Sequence, residues 1–231
     1  MAAIVPRARE NSSDSEYAYL RDESPKDKRF DEARAWADTL QKALVAAGLL
    51  RPAERVSQCA LELFFDLRPD ADGVLHHKLA SAAFCHWRHC PMCQQRRSLR
   101  NKARFLEALP GIEKAYPGAR WLMLTLTVRN CPVEELRATI TAMNKAWNRL
   151  TQRVEFGKVK GWIRATEVTR ADDGSAHPHF HCLLMVLPSY FSHGYVTQAR
   201  WVQVWREVMR LDYDPIGDVR VVRPKMRDGV Q

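Results

Sequence analysis

His177-Pro178-His179-Phe180-His181-Cys182-Leu183-Leu184-Met185-Val186-Leu187 sets imidazoles at every second position and then runs on as an unbroken apolar segment. Alternate side chains of a β-strand share a face, so the spacing predicts a strand over 179–187 with the rings of His177, His179 and His181 pointing the same way. A neutral imidazole is the commonest metal ligand, and two of them at i, i+2 on a rigid strand can grip one ion without a loop having to order itself. A metal-centred site is the first expectation from this stretch. The alternative is a set of rings that only caps the entrance of a buried strand.

Working outward, 161–169 reads as a second strand, joined to the first through Arg170-Ala171-Asp172-Asp173-Gly174-Ser175, whose residue types suit a hairpin loop. Glu167 lies on that strand. A carboxylate on a neighbouring antiparallel strand can complete a set with His179 and His181, leaving coordination positions open for water and phosphate oxygens. An ion so held would polarise a phosphodiester as a Lewis acid. The competing reading of Glu167 is a surface residue at a strand end.

Trp121-Leu122-Met123-Leu124-Thr125-Leu126-Thr127-Val128 also reads as a strand. The segment 132–149 is predicted as a helix begun by Pro132 and Glu134, with Leu136, Ile140, Met143 and Trp147 in one stripe. Thr197 caps a helix over 197–209 that turns Trp201, Val204, Trp205 and Val208 inward, and 217–222 is a last short strand. The order strand, helix, strand, strand, helix, strand is a split β-α-β arrangement. It predicts an α+β fold of ferredoxin-like or RRM-like type, an antiparallel sheet with helices on one face.

The amino-terminal half reads differently. Residues 1–30 show little apolar periodicity and are expected to be a flexible tail. A helix over 30–50, ended by Gly48 and Pro52, opens a helical and zinc-binding region spanning 31–110, followed by the sheet domain over 118–231. A turn is expected at Pro69-Asp70-Ala71-Asp72-Gly73, and a basic helix runs through Arg104 and Leu109 to a break at Pro110-Gly111.

Of the six cysteines, Cys131 and Cys182 look like core residues, whereas Cys85, Cys90 and Cys93 cluster in Phe84-Cys85-His86-Trp87-Arg88-His89-Cys90-Pro91-Met92-Cys93. A Cys-x2-Cys knuckle is usually joined by ligands from a distant segment to complete a tetrahedral Zn2+ site. Cys59 supplies the fourth thiolate, with His86 and His89 as competing ligands, and the alternative is a set of buried free thiols.

Lys and Arg outnumber Asp and Glu by 36 to 27, giving a net charge of +9, a balance that favours a polyanionic partner. The surplus is local: Arg88, Arg96, Arg97, Arg100, Lys102 and Arg104 fall in 85–104, which holds no carboxylate. Arg96, Arg97, Arg100 and Arg104 are the candidate DNA contacts, against the reading of a solvated helix face. No stretch has the roughly 18 apolar residues of a membrane span, and no signal peptide is evident, so a cytoplasmic protein without membrane contact is expected.

Met123-Leu124-Thr125-Leu126-Thr127-Val128-Arg129-Asn130, then Glu167-Val168-Thr169, then His177 to His181, resemble the successive motifs of the rolling-circle plasmid replication initiators, members of the HUH endonucleases. Asp214-Pro215-Ile216-Gly217-Asp218-Val219-Arg220 and Cys90-Pro91-Met92-Cys93-Gln94-Gln95-Arg96-Arg97 are similar to that family too. The resemblance covers roughly 59–225. It implies a protein that binds plasmid origin DNA, double- and single-stranded, and works with host replication proteins. It also implies nicking of one strand, with the 5′ phosphate kept on a tyrosine while the 3′ hydroxyl primes synthesis.

His179 and His181 match the family's metal-binding pair, Glu167 stands where a third ligand is expected, and the ion implied is Mg2+ or Mn2+. The family's nucleophilic tyrosine, with a lysine downstream, sits on a helix after the Asp-Val-Arg strand. No tyrosine here has that context, which places the nucleophile beyond Gln231 and makes the sheet domain incomplete at its carboxyl end. Tyr213 is the nearest fallback. Two expectations follow: a metal-dependent nicking and strand-transferring initiator, or a non-cleaving origin-binding protein that acts as competitor or regulator.

Overall fold

The computed structural model describes residues 3–5 and 28–223, and the chain divides into two compact units, Met1–Leu109 and Pro110–Gln231.

The first unit contains a three-stranded antiparallel sheet in the order β1 (Ala3–Val5), β2 (Leu63–Pro69), β3 (Leu75–Ala82). The expected tail 1–30 lies mostly outside the described residues, but its apolar triplet Ala3–Val5 pairs with Leu63 to Phe65 as an edge strand. β-Branched Ile4 and Val5 favour the extended backbone that a free edge of β2 can pair. The turn between β2 and β3 forms as expected. Asp70 Oδ1 accepts from the N–H groups of Asp72 (2.9 Å) and Val74 (3.0 Å), and Gly73 takes φ +79°.

Helix α1 (Lys28–Ala46) ends four residues before the position expected for it. Gly48 (φ +72°) closes it, with its N–H bonded to Val45 O and that of Leu49 to Leu44 O. Pro52 does not terminate α1; it sits in the first turn of a separate helix, α2 (Leu50–Ser57), where its missing N–H costs nothing. Helix α3 (Pro91–Ala115) likewise passes through Pro110 and Gly111 instead of breaking there. A proline inside a helix costs about 3 kcal/mol. Helix formers flank it, Leu106, Glu107, Ala108 and Leu109 before it and Glu113, Lys114 and Ala115 after it. The core of this unit joins Ala37, Leu44, Ala53, Val56, Leu63, Phe65 and Met92 to Cys59, Cys90 and Cys93.

The second unit runs β4 (Arg120–Thr127), α4 (Leu136–Leu150), β5 (Val159–Arg170), β6 (Ala176–Val186), α5 (Ser189–His193), α6 (Gln198–Met209) and β7 (Gly217–Val221). Its sheet order is β5-β6-β4-β7 with every neighbour antiparallel, the split β-α-β arrangement read from the sequence. Thr197 caps α6 by accepting from the N–H of Arg200 at 3.2 Å.

Alternation then sorts the sheet into two faces. Leu122, Leu124 and Leu126 of β4 and Phe180, Cys182, Leu184 and Val186 of β6 meet Met143, Ala146, Trp147 and Leu150 of α4 and Trp201, Val204, Trp205 and Val208 of α6. Fully burying each large apolar side chain contributes on the order of 1.5–3 kcal/mol, so this face fixes the register of the strands. The residues between them, including His179 and His181, are thereby turned to the opposite face. Among the described residues no helix is long and apolar enough to cross a membrane.

Candidate metal centre and nucleic-acid interface

The ladder places Glu167 opposite His179 across β5 and β6, and Thr127 and Thr125 opposite His179 and His181 across β4. Glu167 Oε2 consequently lies 3.2 Å from His181 Nε2 and 3.7 Å from His179 Nε2. One ligand atom from each of the three falls within 4.8 Å of the others, close enough for one cation to touch all of them. His179 is 8% exposed, with its Nδ1 3.2 Å from the carbonyl oxygen of His177 and its Nε2 turned to the Glu167 carboxylate. His181 Nδ1 lies 3.2 Å from Thr125 Oγ1. A donor set of two imidazoles and one carboxylate, oriented by outer hydrogen bonds and open on one side, suits a divalent ion that exchanges water for phosphate oxygen.

His177, third in the sequence pattern, is not in this set; its Nδ1 bonds Asn130 Oδ1 at 2.7 Å. Thr125 and Asn130 belong to the motif 123–130, but the sequence assigned neither a role at this site. The register of β4 against β6 brings Thr125 to His181, while Asn130 lies in the segment after β4, beside the Cys131–Ala176 bridge.

In the first unit Cys59, Cys85, Cys90 and Cys93 converge, with one sulfur from each within 4.8 Å of the rest and Cys93 Sγ 3.6 Å from both Cys59 Sγ and Cys85 Sγ. All four are free thiols. Cys90 immediately precedes α3, and Pro91 opens that helix. A hydrogen bond from Cys59, helped against burial by the backbone N–H groups of Cys93 and Met92, draws the Cys90 thiol down to about 5. The same bond to Cys90, together with burial, pushes Cys59 up, and burial pushes Cys85 up to about 11. Four sulfurs converging from separate segments form a donor set that could hold one tetrahedral cation.

His86 and His89 stay outside the cluster: His86 lines a shallow groove with Phe84, Arg96, Arg97 and Arg100, and His89 packs edge-on against Trp87. Two arginines the sequence reading passed over support the cluster from behind. Arg34 of α1 donates to the carbonyl oxygen of Cys59, and Arg55 of α2 to that of Cys85. Arg96, Arg97, Arg100 and Arg104 are all exposed on α3, and their spacing puts Arg96, Arg100 and Arg104 on one side of the helix beside the groove. The Arg96 guanidinium lies 4.3 Å from the Phe84 ring centre.

Tyr213 lies between α6 and β7, and its hydroxyl accepts the backbone N–H of Arg129 at 2.8 Å. Cys131 and Cys182 are buried as expected.

Residues 76–231 match the model of the family described as "Replication protein". The chain belongs to this replication protein family. The match begins after Cys59 and takes in the other three clustered cysteines, α3 and the whole second sheet. Among curated proteins, this replication protein family member is 37% identical to the "Protein rep" of Bacillus amyloliquefaciens, over 94% of this chain and 66% of that protein. It is 39% identical to the "Protein rep" of Lactiplantibacillus plantarum, over 67% of this chain and 50% of the relative. With that of Streptococcus pneumoniae serotype 2 it shares 39% identity, over 74% of this chain and 53% of the relative. The chain thus spans between half and two thirds of the length of these relatives. No solved structure matches it significantly.

Proposed function

We propose that this chain carries the origin-binding and metal-holding parts of a plasmid rolling-circle replication initiator of the HUH endonuclease type. The observation that carries the reading is the convergence of Glu167, His179 and His181 on the uncovered face of a preformed sheet. Membership of the replication protein family and relatives named "Protein rep" support it. In this reading Glu167, His179 and His181 hold Mg2+ or Mn2+, which when bound supplies Lewis-acid polarisation of a phosphodiester. The carbonyl of His177 and the hydroxyl of Thr125 keep the two rings aimed, and the open face admits a DNA strand.

The reaction is a transesterification: a tyrosine oxygen bonds to phosphorus as the bond to the 3′ oxygen breaks, and a proton ends on the new 3′ hydroxyl. Cys59, Cys85, Cys90 and Cys93 hold a structural Zn2+ that presents Arg96, Arg97, Arg100 and Arg104 to phosphates of double- and single-stranded origin DNA. Host replication proteins are the further partners, and the compartment is the cytoplasm.

A second reading, origin occupancy without cleavage by this chain, draws on one observation. The Tyr213 hydroxyl is already engaged by the backbone of Arg129. Mn2+ titration followed by incubation with single-stranded origin DNA tests both readings. The first expects Mn2+ bound by the unaltered chain and lost in His181→Ala; absence of Mn2+ binding would overturn it. A covalent protein–DNA adduct on a denaturing gel, mapped to a tyrosine of residues 1–231, would overturn the second.

A further inference from the structure

The segment that leaves β4 is held more firmly than a loop beside an open site needs to be. Thr127 donates through both its N–H (3.2 Å) and its hydroxyl (2.7 Å) to Ile216 O, and accepts at its carbonyl from Trp205 Nε1 at 2.8 Å. Cys131 and Ala176 exchange a pair of 2.9 Å backbone hydrogen bonds. Between these anchors, Asn130 holds the His177 ring, which lies 5.2 Å from the ring of His179. Arg129 gives its N–H to Tyr213 and lays its guanidinium 3.8 Å above the centre of the Tyr213 ring.

Arg129 is exposed, and among the described residues no carboxylate pairs with its guanidinium. A guanidinium with one face on an aromatic ring keeps its edge free for bidentate contact with an oxyanion, and the stacking has already removed much of its rotamer freedom. Arg129 is two residues past Thr127, the partner of His179, or about 7 Å along an extended chain.

We infer that Arg129, laid on Tyr213, is a second anchoring point for the DNA strand at the metal centre, taking a phosphate next to the one at Glu167, His179 and His181. Tyr213 is then the positioning residue that holds this guanidinium, and not the attacking hydroxyl. The inference rests on the metal-centre reading given under "Proposed function". Binding at the two points is linked: a strand seated on Arg129 tightens the cation, and the cation tightens the strand by the same factor.

The test measures Mn2+ affinity by electron paramagnetic resonance with and without an oligothymidylate, beside the salt dependence of oligothymidylate binding by fluorescence anisotropy. In the unaltered chain the oligonucleotide should tighten Mn2+. In Arg129→Ala, Mn2+ alone should bind as before, while the tightening should shrink about tenfold or more, the effect expected of removing one charge-assisted hydrogen-bonding group. The salt slope should fall by about 0.7, one single-strand phosphate.

Tyr213→Leu should resemble Arg129→Ala, Tyr213→Phe should keep most of the coupling because the ring remains, and Arg129→Lys should fall between. Thermal melting of each variant separates a missing phosphate anchor from an unfolded chain, with Arg129→Lys as the milder substitution. Full coupling and an unchanged slope in Arg129→Ala would overturn the inference. So would loss of a covalent adduct in Tyr213→Phe with oligonucleotide binding intact. If the unaltered chain binds no Mn2+, the metal reading falls alone, and the salt slope of Arg129→Ala still decides the role of Arg129.

Discussion

The two clusters of candidate metal ligands are built in opposite ways. The cysteine set draws its sulfurs from the end of α2, from the segment after β3 and from the start of α3, and the residues around it form the smaller of the two cores. The histidine set takes both imidazoles from one strand and its carboxylate from the neighbouring rung, with Phe180 between the histidines buried beneath Trp205 and Trp147. In the first case the ligands come from three separate segments, joined by core packing and by the bonds of Arg34 and Arg55 to the carbonyls of Cys59 and Cys85; in the second, one ladder of the sheet sets the distances. Metal should therefore be part of the fold at the cysteines and a guest at the histidines.

The strongest way to break that contrast is Cys90→Ser. Structural zinc contributes on the order of 10 kcal/mol to small modules, so the first unit should lose both its metal and its protease resistance. Zinc content of the purified protein checks this; less than about half an equivalent in the unaltered chain, or full retention in the variant, would show that the cysteines are ordinary core thiols. Next in size is Phe180→Ala, which should cost about 3–5 kcal/mol by emptying the space under the histidines, seen as a lower thermal midpoint. If the midpoint held, the sheet would not be what positions the site.

His181→Ala is the counterpart on the open face, and it should abolish Mn2+ binding while moving stability by less than about 1 kcal/mol. A large drop in the midpoint without metal would make the histidines structural after all. The smallest effect is expected on α3. Changing Arg97 and Arg100 to Ala should reduce the salt slope of duplex binding by roughly 0.9 for each phosphate no longer neutralised, and an unaltered slope would put the DNA elsewhere.

How much of this could be read beforehand follows the same division. The period-two pattern from His177 to Val186 and the leucines of β4 encode which face each residue takes, so Glu167, His179 and His181 were legible as a set. The Thr197 cap and the inward tryptophans of α6 were local signals as well. In the first unit the cysteines were visible but their scaffold was not. Pro52 and Pro110 are strong local signals whose meaning depends on what flanks them: one opens a helix and the other is carried inside one.

Arg34 and Arg55 reach carbonyls 25 and 30 residues away, and Tyr213 meets Arg129 across 84 residues. Such pairings leave no periodic trace in the chain. They arise only when separate elements have docked.

The position of β6 in the sheet has a consequence in time. Its neighbours are β5, joined to it by a tight hairpin, and β4, which lies far back along the chain, so that Thr125 and His181 meet across 56 residues. Contacts at such sequence separation form late, because the entropy of closing the intervening chain is lost before they give anything back. A chain emerging from the ribosome can close the hairpin that carries Glu167, His179 and His181, yet the ring of His181 is braced by Thr125 only when β4 has docked. Maturation of the centre is thus gated by the long-range docking of β4 on β6 and not by closure of the hairpin.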